Sequence, residues 1–104
     1  LQRAGVTLPV VATSRAERLI VRDLVDQGRS FHKERDFARA IERYEAALRI
    51  DPDSVEANLR LGMVLEDDRQ FRRAIECYER CLAVKPDHHQ AATNIGECHR
   101  KNER

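Results

Sequence analysis

The chain of 104 residues has no tryptophan, and its aromatics come to only two tyrosines and three phenylalanines. So few aromatic rings, with basic residues interleaved among acidic ones, argue against a base-stacking platform for nucleic acid. No charge sign dominates: 19 Lys and Arg stand against 18 Asp and Glu, so no strong field selects a polyanion or a membrane surface. No stretch approaches the roughly 20 apolar residues of a membrane span, and no charged start precedes an apolar core as in a signal peptide. The three cysteines, Cys77, Cys81 and Cys98, are an odd number without framework spacing. They are read as thiols of a soluble, intracellular, cytoplasmic domain.

What is present is a period. Gly28, Gly62 and Gly96 stand 34 residues apart, and Ala40/Ala74, Tyr44/Tyr78 and Pro52/Pro86 keep the same interval. Residues 21–54 align with 55–88 without a gap at 13 identical positions, Arg35/Arg69 and Phe37/Phe71 among them, and 89–104 continue the register. A unit of this length cannot bury its own apolar face and must stack on its neighbours. Apolar residues recur at helical spacing in two runs per unit, Leu24 to Phe31 and Phe37 to Leu48 in the first. Each unit is therefore expected to be a helical hairpin. Pro52 and Pro86 end the second helix of each unit. Asp53 with Glu56, and Asp87 with Gln90, have the spacing of capping boxes for the helices that follow, as do Ser14 and Glu17 for the first. Gly28 and Ala40, like Gly62 and Ala74, mark where the two helices of a hairpin cross closest; a mid-helix glycine costs about 1 kcal/mol against alanine, so its return in phase indicates a steric need.

This pattern resembles the tetratricopeptide repeat. The residues that carry the resemblance are Leu24, Gln27-Gly28, Phe31, Ala40, Tyr44, Ala47 and Pro52, then Asn58, Leu61-Gly62, Leu65, Ala74, Tyr78, Cys81 and Pro86, then Ala92, Ile95-Gly96 and His99. The resemblance implies an all-α, right-handed superhelical solenoid of antiparallel helix hairpins. It would hold about two and a half units: 21–54, 55–88 and a partial 89–104 within a domain at 14–104. Departures are Leu24, Asn58 and Ala92 where the family has a large aromatic, and Gln27 where it has leucine; these are expected to weaken packing between units. His99 leaves the last helix little apolar surface. A chain that opens on Leu1 and stops at Arg104 inside a helical pattern is read as a piece of a longer one. Leu1 to Thr13 lies outside the repeat and favours an extended segment, either a linker or a ligand laid on the solenoid.

The resemblance also implies a non-enzymatic protein-interaction module, part of a scaffold or adaptor, that binds a peptide or helix of a partner in a concave groove lined by the first helix of each unit. The register places Arg22, Val25, Asp26, Arg29 and Lys33 there, then Glu56, Leu59, Arg60, Met63 and Glu66, then Gln90, Thr93, Asn94 and Glu97. Val25, Leu59 and Met63 would form an apolar floor, and Arg29, Arg60 and Asn94 would bind carboxylates or peptide amides. Family members that clamp the C-terminal carboxylate of heat-shock chaperones use lysine, asparagine, asparagine, lysine and arginine where this chain has Val25, Arg29, Arg60, Gln90 and Asn94, so a chaperone tail is not the expected partner. The alternative is a self-association segment in which solenoid ends, or residues 1–13, stack between copies. Cys77, Cys81, His88, His89, Cys98 and His99 are zinc-type ligands, but the register sends Cys81 and Cys98 inward and Cys77 towards the surface. No metal, cofactor or catalytic residue is expected.

Overall fold

The computed structural model describes residues 13–103, so the expectations for the N-terminal segment before Thr13, and for Arg104, lie outside the described residues. Five α-helices follow in chain order: α1 (Arg15–Lys33), α2 (Phe37–Ile50), α3 (Val55–Asp67), α4 (Phe71–Val84) and α5 (His89–Asn102). α1 pairs with α2 and α3 with α4; α2 and α4 each pack on the helix that follows, and α1 also touches α3. Phe71 opens α4 34 residues after Phe37 opens α2, and His89 opens α5 34 after Val55 opens α3. The fold is an all-α helical-repeat solenoid.

α1 departs from that period because it starts early. In register, Arg18, Leu19 and Ile20 stand where Pro52, Asp53 and Ser54 interrupt the chain between units. None of the three breaks a helix, so α1 runs back to the Ser14–Glu17 box, where each residue's backbone N–H donates to the other's side chain at 3.0 and 3.1 Å. Leu19 and Ile20, on this extension, are 59% and 50% exposed.

The other two caps fall one residue later than the sequence predicts. Ser54 N–H bonds Asp51 O at 3.1 Å and His88 N–H bonds Lys85 O at 3.0 Å, closing turns with Pro52 and Pro86 at their second position. Asp53 and Asp87 are spent in those turns. Ala57 N–H therefore donates to Ser54 Oγ, and Ala91 N–H to His88 Nδ1, both at 3.1 Å.

The glycines are explained by the tyrosines. A Cβ on Gly28 would lie 2.5 Å from Cε1 of Tyr44, and one on Gly62 2.5 Å from Cε1 of Tyr78. Ala40 and Ala74 are fully buried, but it is the ring that fills the space beside each glycine. Around Gly96 the nearest such atom is Arg100 Nη1 at 3.8 Å, so there the glycine meets no steric need within the described chain.

The turn inside each hairpin repeats as well. Arg35 and Arg69 both take φ 62°, the left-handed region that β-carbons disfavour. Asp36 N–H bonds Phe31 O and Arg35 N–H bonds His32 O, at 2.9 Å each; Gln70 to Leu65 at 2.8 Å and Arg69 to Glu66 at 3.0 Å repeat the pattern. These are Schellman ends of α1 and α3. Each arginine then lies over the next ring, 5.0 Å from the centroid of Phe37 and 5.2 Å from that of Phe71.

Asn58, expected to loosen packing, is fully buried, and its Nδ2 donates to Pro52 O and Ser54 O at 3.0 Å each. It ties the turn between the units to the start of α3.

Candidate functional site

Two adjoining cavities lie along α1 and α3. The first, about 740 Å³, is bounded by Asp26, Arg29, His32, Lys33, Arg60 and Asp67, with Ser30 and Arg35 at its margin. The second, about 450 Å³, runs towards the start of α1 past Arg22, Val25 and Val21 to Ser54 and Glu56. Asp26 and Arg29 belong to both, so the two form one groove. The structure thus brings Arg22, Val25, Asp26, Arg29, Lys33 and Arg60 together on it. Leu59, Met63, Gln90 and Asn94 line neither cavity. Leu59 is 6% exposed and belongs to the core, and Gln90 Nε2 lies 4.0 Å from Met63 Sδ across α5 and α3.

The groove's charges are partly paired. Arg60 Nε donates to Glu56 Oε2 at 2.8 Å, and Arg29 Nη1 stands 4.0 Å from Asp26 Oδ1. His32 Nε2 lies 2.6 Å from Asp67 Oδ2, joining the ends of α1 and α3. One unit further on the same register positions are Glu66 and Lys101, and Lys101 Nζ donates to Glu66 Oε2 at 2.7 Å. The bridge recurs with its polarity reversed. Glu66, which the register puts in the groove, is thereby occupied, because Tyr78 Oη also donates to its Oε1 at 2.8 Å. Burial and that bond push the Tyr78 phenol up, and the bond to Glu66 holds Lys101 protonated.

Tyr44 stands at the position of Tyr78 one unit earlier, with 0% exposure, and its Oη has no hydrogen-bond partner. Burial pushes its phenol up to about 12, against the pull of Arg60 and Arg29. Sequence reading missed this difference, although the exchange of Glu66 for His32 at the matching position is its signal.

All three cysteines are buried. Cys77, expected near the surface, is 3% exposed and borders a separate cavity among α2, α3 and α4 with Glu45, Leu61 and Arg73. Burial pushes Cys77 and Cys81 up to about 11 and Cys98 up to about 12, so each is a neutral thiol near pH 7 and a poor nucleophile. Among the described residues, no three His, Cys, Asp or Glu side chains gather as a metal site would require. No helix among them is long and apolar enough to cross a membrane.

No curated protein matches the chain. The tetratricopeptide repeat family profile matches residues 27–93, from the second half of α1 into α5. Repeats of this kind generally mediate protein–protein interaction and are typically non-enzymatic. With that match laid over paired helices that return every 34 residues, and with a glycine under a tyrosine ring in each hairpin, the chain belongs to the tetratricopeptide repeat family.

Proposed function

We propose that this chain is a non-enzymatic interaction module of a scaffold or adaptor protein, cytoplasmic in location, whose α1–α3 groove, continued by α5, receives a peptide or helix of a partner protein. Its repeat domain spans 14–104, with units at 21–54 and 55–88 and a partial unit at 89–104. The observation that carries this reading is the gathering of six groove residues, Arg22, Val25, Asp26, Arg29, Lys33 and Arg60, on one continuous cleft. The arginines along the cleft suit a ligand rich in acceptor groups, while Val25, 5% exposed, offers it only a narrow apolar floor. The test is co-purification of a defined partner with the wild-type chain and with Arg29→Glu/Arg60→Glu. Loss of the partner from the double variant, with helicity retained, supports the groove; undiminished recovery refutes it.

A second reading, self-association, draws on Leu19 and Ile20, which stand exposed on the extension of α1. Sedimentation over a concentration series separates the two. A dimer that forms with rising concentration and dissociates in Leu19→Ser/Ile20→Ser favours assembly, and a monomer throughout favours the groove.

A further inference from the structure

α3 turns Glu56, Arg60 and Asp67 towards the groove, and at roughly 3.6 residues per turn Leu61 and Leu65 fall on its opposite face. Those two leucines line the cavity of about 430 Å³ between α2 and α4, which shares no residue with the groove. Leu48 and Cys77 complete its apolar wall, and its rim is charged. Arg73 Nη2 donates to Glu45 Oε2 at 2.9 Å across the crevice, which neutralises that pair. No ion pair among the described residues engages Arg49, Arg80 or Glu76, and all three are exposed. The open charges on the rim are thus two positive and one negative. The cavity follows from a difference between the units. At the position of Cys77 the first unit has Arg43, whose guanidinium lies 5.5 Å from the centroid of Phe31, the counterpart of Leu65. A cysteine reaches much less far, and the space beside it is open.

We propose that this cavity is a second docking site, away from the groove, which takes one aliphatic side chain, flanked by Asp or Glu, from a partner protein. The inference goes beyond the groove reading and does not rest on it. The incoming side chain supplies in the second unit the stem that Arg43 supplies in the first, and its acidic neighbours meet Arg49 and Arg80. Leu61, Leu65 and Cys77 are all buried, so the floor is narrow and the flanking charges set the selectivity. A second copy of the chain is a poor occupant. Its exposed apolar side chains sit beside positive charge, Leu19 and Ile20 between Arg18 and Arg22, and Val84 before Lys85.

The test follows the methyl resonances of Leu48, Leu61 and Leu65 in the full chain as terminally blocked peptides are added: Glu-Glu-Leu-Glu-Glu, its serine analogue Glu-Glu-Ser-Glu-Glu, and Lys-Lys-Leu-Lys-Lys. The acidic leucine peptide is expected to shift these methyls saturably and to bind about fivefold more tightly than the serine analogue, the scale of burying part of one aliphatic side chain. The lysine peptide should bind more weakly still. Cys77→Arg rebuilds the arrangement of the first unit and should abolish the leucine preference. Arg49→Glu/Arg80→Glu changes only exposed positions and should reverse the charge preference with helicity retained, so the site stays testable where Cys77→Arg does not fold. Arg29→Glu/Arg60→Glu should leave the shifts unchanged, which separates this site from the groove. Three results overturn the docking site while leaving the groove reading intact: no saturable shift at the three methyls, a leucine preference that survives in folded Cys77→Arg, or a charge preference that survives in Arg49→Glu/Arg80→Glu. Loss of the shifts in Arg29→Glu/Arg60→Glu overturns it in favour of the groove.

Discussion

Tyr44 and Tyr78 press on glycines at the same distance, yet their hydroxyls end differently, and that difference is measurable. Tyr78→Phe removes a bond to a carboxylate and should cost about 1–2 kcal/mol, whereas Tyr44→Phe removes an unsatisfied donor and should leave the urea midpoint unchanged or slightly raised. Equal losses would mean that the Tyr44 hydroxyl has a partner in solution. The glycines beneath them make a second pair. At Gly96 alanine meets only Arg100 Nη1 at 3.8 Å, and Gly96→Ala should stabilise by up to about 1 kcal/mol through helix propensity. At Gly62 the new Cβ lies 2.5 Å from a ring that is itself fully buried, so overpacking outweighs the propensity gain, with a net loss of about 1–2 kcal/mol. Opposite signs from one substitution at one repeat position, read by thermal melts, would separate steric need from repeat identity. The sequence displayed all three glycines in phase and could not distinguish them, since the atom that makes two of them necessary belongs to another helix.

At the scale of the element, each first helix ends on an arginine in the left-handed region. An L-residue there costs about 1 kcal/mol, while the stacking of Arg69 on Phe71 returns about 0.5–1 kcal/mol. Arg69→Gly should therefore be close to neutral. Arg69→Ala keeps the strain and loses the stacking, so it should fall at least about 1 kcal/mol below the glycine variant. A glycine variant no more stable than the alanine one, by chemical denaturation, would show that the backbone strain is absent. The Arg35/Arg69 identity was plain in the sequence, but its meaning was not, because helix ends of this type are usually marked by glycine. Cap positions slipped for a related reason. Asp53 with Glu56 and Asp87 with Gln90 have the right spacing, but the turns at Pro52 and Pro86 use up the aspartates, and spacing alone does not show where a turn closes. The early start of α1 was readable, since no helix breaker stands at Arg18 to Ile20.

For the whole molecule, the buried acids set an alkaline limit. The thiols ordinarily ionise near 9, whereas in the fold burial raises Cys77 and Cys81 to about 11 and Cys98 to about 12. An acid whose folded value is raised keeps its proton in the native state after the unfolded chain has lost it, so stability is full below pH 9 and falls from there to pH 11–12. The tyrosines add to this limb above pH 10. The melting temperature of the wild type should therefore drop steeply over that window, and Cys77→Ala should flatten the drop relative to its own value at pH 7. Equal slopes would mean that Cys77 ionises freely in the native state. The solenoid was legible because its period is written in residues that pack. Arg22, Val25, Asp26, Arg29, Lys33 and Arg60 meet on one cleft because they share one helix face or its neighbour; Val25 and Leu59 are both core residues, and a core and a groove floor look alike in a helical pattern. The reversed bridges were hidden, being a relation between units. His32 meets Asp67, and Glu66 meets Lys101. Stacking the first unit on a copy of itself would instead set His32 against Lys33, and the second on its own copy would set Glu66 against Asp67. The native succession sets a donor against a carboxylate at both junctions, so the bridges disfavour arrays in which either unit stacks on a copy of itself.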